Sequence, residues 1–275
     1  MIDDLFSLEK YAYQKSPVHS LDARAKIVLA FSAIIAIVAV PYSTIVYSVG
    51  AIFFLFFALL WAFSGLSPVI YLRRLVVILP FGIFLIFFQI FFKNRYYESF
   101  TTIATLPFGI EIYAQSVEFA SILLIKFLVS VSFIILISST TKTQDLLEGA
   151  GRLGLPAEFT LVLGMMLRYL YVFGYMIRKM RQSLETRCFD PFDRNLPYRY
   201  RLEKVAYAVG TLLIRSYEQG ERTYMAMLCR GYGRESHLYI AKKPMRTGDW
   251  TFLACGMALI ILVPILAWTG LYRPL

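Results

Sequence analysis

Apolar residues fall into five runs. Four follow closely on one another, Ala25 to Val40, Ser43 to Phe63, Leu75 to Phe92 and Ser116 to Ser138. The fifth, Trp250 to Trp268, stands far downstream. A membrane-crossing helix needs about 20 apolar residues, within a range near 17–25. Each run therefore predicts a transmembrane helix, and the first is slightly short for one. Pro80 interrupts the third. Tryptophans bracket the fifth, as an interfacial aromatic belt predicts. Lys126 lies inside the fourth, and an ionisable residue within a span is a candidate for function or for contact with another subunit. The plainer expectation is a place in the bundle interior, or a side chain that snorkels to the interface.

The stretch from 140 to 249 follows another pattern. Thr143 or Asp145 can cap a short helix through Arg152, and Gly154-Leu155-Pro156 breaks it. From Pro156 the spacing is helical to about Arg187. At roughly 1.5 Å per residue that is near 48 Å, longer than a bilayer core is thick. Its first half, FTLVLGMML, is almost entirely apolar, and its second half, IRKMRQSLETR, is polar on most faces. Arg168 stands at the join, a second candidate for contact with another subunit. The pattern predicts a helix that starts buried and ends in water, lying obliquely, although Phe159 to Tyr175 is apolar enough to dip into a bilayer. FDPFDRNLPYRY, Phe189 to Tyr200, reads as a loop. A second helix is predicted from about Leu202 to Leu228. Leu212, Leu213, Tyr217, Tyr224 and Met225 form its apolar stripe, and Arg215, Glu218, Glu221 and Arg222 its wet face. It is too charged to span a membrane, so it is expected on a surface or against another protein.

The expected fold is an all-α polytopic membrane protein of about five transmembrane helices, with long amphipathic helices beside them. Residues 1–139 hold a leader and four spans, 140–249 the amphipathic region, and 250–275 the last span.

Composition agrees with this picture. Of the 275 residues 58% are hydrophobic and mean hydropathy is +0.61, against about half apolar in soluble domains. The net charge of +10 would suggest nucleic acid in a soluble protein. Here most of it falls between spans and works as a topology signal. Lys10, Lys15, Arg24 and Lys26 precede the first span, where Tyr11 and Tyr13 suit a membrane surface. Arg73 and Arg74 follow the second span, and most remaining basic residues lie in 140–249. This alternation places the N-terminus and the 140–249 region in the cytoplasm. Lys93 and Arg95, offset by Glu98 and Glu111, are its weak point. Asp22 is a plausible N-cap for the first span, with Arg24 and Lys26 as cytoplasmic anchors. The opening MIDDLFSLEKYAYQK is not expected to be a cleavable signal peptide.

Candidate chemistry narrows the field further. Neither G-x-x-x-x-G-K-[ST] nor G-x-S-x-G nor H-E-x-x-H occurs. Gly149, Gly151 and Gly154 read as a helix breaker. His19 and His237 are far apart and expected at the surface, and Cys188, Cys229 and Cys255 make no pair pattern. No metal site or cofactor is expected. A membrane enzyme would need an acidic or histidine cluster at the membrane face, and none is visible.

What remains is a motif that occurs twice. Thr186-Arg187-Cys188-Phe189 and Cys229-Arg230-Gly231-Tyr232 are each a small residue, an arginine, a small residue and an aromatic, and each closes a long predicted helix. An arginine there suits the helix dipole. Small neighbours also leave the guanidinium uncovered, free to pair with a carboxylate of a partner protein.

Taken in order, these residues resemble the transmembrane T component of energy-coupling factor transporters, in the cobalt-type branch, CbiQ. LEKYAYQKSPVHSLDARAK, TTKTQDLLEGAGRLGLPAEF, Leu167-Arg168-Tyr169-Leu170 and the two arginine motifs carry the resemblance, which covers nearly the whole chain. It implies that the amphipathic helices are cytoplasmic coupling helices. It implies that Arg187 and Arg230, with flanking Thr186, Cys188, Cys229 and Gly231, each enter a groove of an ABC ATPase subunit of the CbiO kind. It further implies a CbiM-like substrate-capture membrane subunit, a small CbiN-like subunit, membrane lipid around the spans, and no role for nucleic acid. A T component for nickel or a vitamin is the near alternative. Both motifs depart from the family's Ala-Arg-Gly, the first as Thr-Arg-Cys and the second as Cys-Arg-Gly, with the arginines kept. Cys188 stands in place of glycine, the residue that enters a left-handed backbone most readily, which speaks against a required left-handed turn there.

Overall fold

A computed structural model of the chain describes residues 10–14, 16–89, 102–106, 110–191, 193, 196–233 and 245–270. His237, Lys15, Lys93, Arg95, Glu98 and the end of the third predicted run lie outside them. The chain divides into two compact units, Asp3–Leu153 with Lys243–Leu275, and Gly154–Lys242.

The first unit is a helical bundle. After a single 3-10 turn, Lys10–Tyr13, come α1 (Pro17–Ser20), α2 (Ala23–Ala39), α3 (Ile45–Ser64) and α4 (Pro68–Gln89). Then follow α5 (Ala114–Thr140), α6 (Thr143–Arg152) and α9 (Thr247–Gly270). The third predicted span begins earlier than expected and runs through Pro80. Arg73 and Arg74 look like a boundary in sequence, but Arg74 donates to Ser138 Oγ and Ser139 Oγ of α5 at 3.2 and 2.8 Å, so the helix runs past it. An element that hydropathy alone did not predict lies between the third and fourth predicted spans. Antiparallel strands β1 (Thr102–Leu106) and β2 (Ile110–Tyr113) lead into α5.

α5 packs against α2, α3 and α4. The core joins Leu29, Ala33 and Ile37 of α2 to Val49, Phe53 and Phe57 of α3, Ile122, Val129 and Phe133 of α5, and Ile260 of α9. Helices in a bilayer gain little from the hydrophobic effect against one another, so close backbone approach through small residues matters more. Gly50 serves that end: a Cβ there would stand 2.5 Å from Ile125 Cγ2. Gly82 meets the Phe127 ring and Gly256 meets Leu29 in the same way.

The outer surface is apolar over a wide area. Val76, Val77, Phe81, Phe84 and Phe87 of α4, Ile35 of α2, and Leu55 and Phe63 of α3 are all exposed. Soluble monomers rarely expose contiguous apolar patches larger than a few hundred Å², so hydrocarbon is the solvent this surface fits. Among the described residues five helices are long and apolar enough to cross a membrane: α3, α4, α5, α9 and Ala157–Glu185 of the second unit. They are not the five predicted runs. The first run forms α2, whose 17 residues sit at the lower limit for a span. Ala157–Glu185 is the helix whose apolar half could dip.

Among its described residues the second unit carries α7 (Ala157–Glu185) and α8 (Tyr198–Cys229). Gly154, with φ 119°, precedes α7 where the Gly-Leu-Pro break was expected. The two helices meet where the Tyr169 hydroxyl bonds Thr223 Oγ1. They meet again at their linked ends, where the Phe189 ring lies edge-on to Tyr200, with centroids 6.2 Å apart. Neither helix has a buried residue.

Candidate functional site

The two arginine motifs prove to be the same structure. At the end of α7 the Cys188 amide donates to the Glu185 carbonyl and the Phe189 amide to the Leu184 carbonyl, both at 3.0 Å. At the end of α8 the Gly231 amide donates to the Leu228 carbonyl and the Tyr232 amide to the Met227 carbonyl, both at 3.0 Å. Each pair of bonds is a Schellman helix end, which requires a left-handed residue just past the last helical one. Cys188 has φ 58° and Gly231 has φ 82°. The expectation that cysteine speaks against a left-handed turn is therefore corrected: the turn is present in both copies. Satisfying the terminal carbonyls outweighs the cost of placing an L-residue there, roughly 1–2 kcal/mol.

This geometry explains the motif letter by letter. The small residue after the arginine takes the left-handed position. The aromatic follows where a Schellman end commonly sets an apolar contact, and Phe189 is buried. The arginine is the last residue before the reversal, so its side chain starts from the tip. Arg187 and Arg230 are both exposed, as are Thr186, Cys188, Cys229 and Gly231. Among the described residues neither guanidinium has an ion pair or side-chain hydrogen bond. Thr186 Oγ1 donates back to the Ser183 carbonyl at 2.9 Å, which ties that hydroxyl to the helix end. Replacing Cys188 by glycine should relieve the left-handed strain and slow hydrogen exchange at the Phe189 amide. Replacing it by valine should fray the last turn and speed that exchange.

The two tips stand at the two ends of one helix. Arg230 follows the last residue of α8, and the Arg187 turn is held against the first turn of α8 through Phe189 and Tyr200. At about 1.5 Å per residue the 32 residues of α8 span roughly 48 Å. The pair is therefore suited to touching two well-separated points at once.

Arg168 is exposed, next to the Tyr169 that bonds α8. Lys126 is different. It is 5% exposed, and its ammonium donates to the Val38 and Val40 carbonyls at 3.0 and 2.5 Å. It also lies 4.2 Å from the centre of the Tyr42 ring. It caps the end of α2, whose last carbonyls have no partner within their own helix. That is the bundle-interior placement. It also lies near one end of α2, about 21 Å along α5 from Thr140 at 1.5 Å per residue.

The start of α2 forms a second cluster. Asp22 caps the helix as expected, accepting from the Arg24 amide at 3.0 Å, and it pairs with the Arg24 guanidinium at 3.2 Å. Burial works to raise the Asp22 carboxyl, but these bonds and the charges of Arg24 and Arg152 outweigh it and hold the group below its usual value. Lys26 is buried, and donates to the His19 and Thr140 carbonyls at 3.3 and 3.2 Å. Of the two basic residues expected as cytoplasmic anchors, Lys26 is thus bonded inside the protein, and Arg24 is half-buried beside Asp22. His19 is half-buried, with Nδ1 2.7 Å from Ser16 Oγ. A polar cleft of about 840 Å³ opens beside this cluster, lined among others by Lys26, Lys142, Asp145, Arg152 and Asp249. Asp249 was not singled out in the sequence. Its signal was there: an acidic residue in the third helical position ahead of an apolar run is one half of a capping box. Among the described residues no three His, Cys, Asp or Glu side chains gather as a metal-holding group.

Fold and sites together define a class: a multi-pass helical membrane protein carrying a separate pair of long helices tipped with exposed arginines. A family model for CbiQ, the cobalt transport protein, matches residues 14–240, and the chain belongs to that family. It is a transport-related membrane protein. An uncharacterized protein of Methanocaldococcus jannaschii is 24% identical over 257 residues, covering 93% of this chain and 84% of the relative.

Proposed function

We propose that this chain is the transmembrane T component of an energy-coupling-factor importer of the ABC type, with the cobalt ion as substrate. It is a non-catalytic subunit. CbiO-like ATPase partners hydrolyse ATP, a CbiM-like membrane subunit with a small CbiN-like one captures the substrate, and this chain links them. The N-terminus and the α7–α8 pair face the cytoplasm, in keeping with the basic residues of the leader and of 140–249. In this topology α2 crosses the bilayer and α7 lies oblique.

The observation that carries the reading is the repetition of one exposed arginine on one type of helix end, at both ends of α8. A guanidinium makes two parallel bonds to a carboxylate and cannot lose its charge. Two such forks, one at each end of a single stiff helix, would engage equivalent acidic grooves on two ATPase subunits and be carried along as those subunits close and open.

Purification from membranes in mild detergent tests the assignment. An ATPase and a second membrane protein should copurify with the chain, and the retained metal should be cobalt. Nickel or a vitamin in its place would move the substrate and leave the coupling role intact. A lone polypeptide with turnover of its own would contradict the proposal in favour of a membrane enzyme.

A further inference from the structure

The chain leaves the first unit after α6 and rejoins it just ahead of α9. Both places are tied to a single turn of α2. On the outgoing side, the Lys26 ammonium donates to the carbonyl of Thr140, the last residue of α5. Immediately beyond, α6 presses on the same turn: a Cβ on Gly149 would stand 3.1 Å from Ala23 Cβ and 3.3 Å from the Arg24 amide nitrogen. On the returning side, the Asp22 amide donates to Asp249 Oδ1 at 3.0 Å, across 227 residues of sequence. The other Asp249 oxygen accepts from the Arg246 amide at 3.0 Å, which closes the first turn of α9. Lys26 and Asp249 are each 6% exposed.

We propose that the Asp22–Lys26 turn, with Asp249, is the anchor through which movement of the α7–α8 pair reaches the membrane bundle. The proposal rests on the coupling reading above. The pair has two covalent routes into the bundle, and both arrive at this turn. Asp249 and Lys26 are positioning residues: they touch neither ATP nor substrate. Each joins backbone groups of separate segments, so a push on either route moves α2 rather than fraying one helix end. Charge-assisted bonds with little access to water are stiff enough for this. Without them the pair would still follow the ATPase, and the bundle would lag behind.

The test uses the whole complex with its native partners in liposomes, reading ATP hydrolysis and cobalt-ion uptake together. Asp249→Ala and Lys26→Met should keep their ATPase and hydrolyse ATP within about twofold of the wild-type rate, while uptake per ATP falls roughly three- to thirtyfold. Asp249→Glu, which keeps both acceptor oxygens in a position where capping boxes use glutamate, should restore that ratio. An unchanged ratio overturns the anchor, as does a loss of hydrolysis and uptake in equal proportion. If Asp249→Ala does not accumulate, Asp249→Asn carries the test, since it keeps one acceptor and must still lower the ratio. A wild-type complex that contains no ATPase overturns the coupling reading and the anchor with it. An ATPase-bearing complex whose variants keep the ratio overturns the anchor alone.

Discussion

Reversing both arginines, Arg187→Glu with Arg230→Glu, should abolish uptake by the reconstituted complex and release its ATPase, while the chain still inserts into membranes. Losing one partner of a buried charge pair at an interface costs about 2–5 kcal/mol, and each 1.4 kcal/mol is tenfold in affinity. Glutamate goes further, because it sets like charge against the acidic groove proposed for the ATPase. A single reversal should have a smaller effect. The other fork still holds, and a second contact on the same molecule acts at high effective concentration. The double variant should therefore lose far more than either single variant. Insertion should survive because both residues are exposed and both helix ends close through backbone bonds. Uptake and ATPase retention, measured side by side for all three variants, check this.

The second large effect is expected at Lys126. Lys126→Leu removes the donor shared by the Val38 and Val40 carbonyls. Each buried acceptor left unpaired costs roughly 1–3 kcal/mol, and the Tyr42 ring loses its cation as well. The end of α2 should come loose from α5, and the thermal midpoint of the detergent-solubilised protein should fall by several degrees. Lys126→Arg, which keeps a cation of similar reach, should recover part of the loss. If Lys126→Leu melted with the wild type but lost a membrane partner, the residue would be a subunit contact and not a helix cap.

Much of the bundle was legible because span length and apolar content are set by the bilayer. The runs at Ser43 to Phe63 and Ser116 to Ser138 match α3 and α5 to within two residues. Boundaries failed where a charged side chain reached back to a neighbouring helix. Arg74 looks like the end of a span until its serine partners on α5 are known. Lys126 looks like a charge in mid-membrane until the shorter α2 is laid beside the longer α5. The β1–β2 pair left no signal in a hydropathy reading tuned to spans. In the arginine motifs the sequence showed the repetition, but not its cause. A left-handed cysteine is outside the usual preference for glycine, and only the paired backbone bonds reveal that Cys188 and Gly231 do the same work. The leader's Asp22, Arg24 and Lys26 were visible as a cap and two cations. The distant partners of Asp22 and Lys26, which are Asp249 and Thr140, lie more than a hundred residues away, and no local pattern pairs them, although Asp249 shows as half of a capping box.

Crosslinking from the two helix tips tests the central claim most directly. A photoreactive residue placed at Thr186 or at Cys229, beside each arginine, would be activated in the intact complex and its product identified by mass spectrometry. Both positions should join this chain to an ATPase subunit, and a chain carrying both probes should join two. Crosslinks to lipid or to the membrane partner alone, with none to an ATPase, would contradict the coupling role.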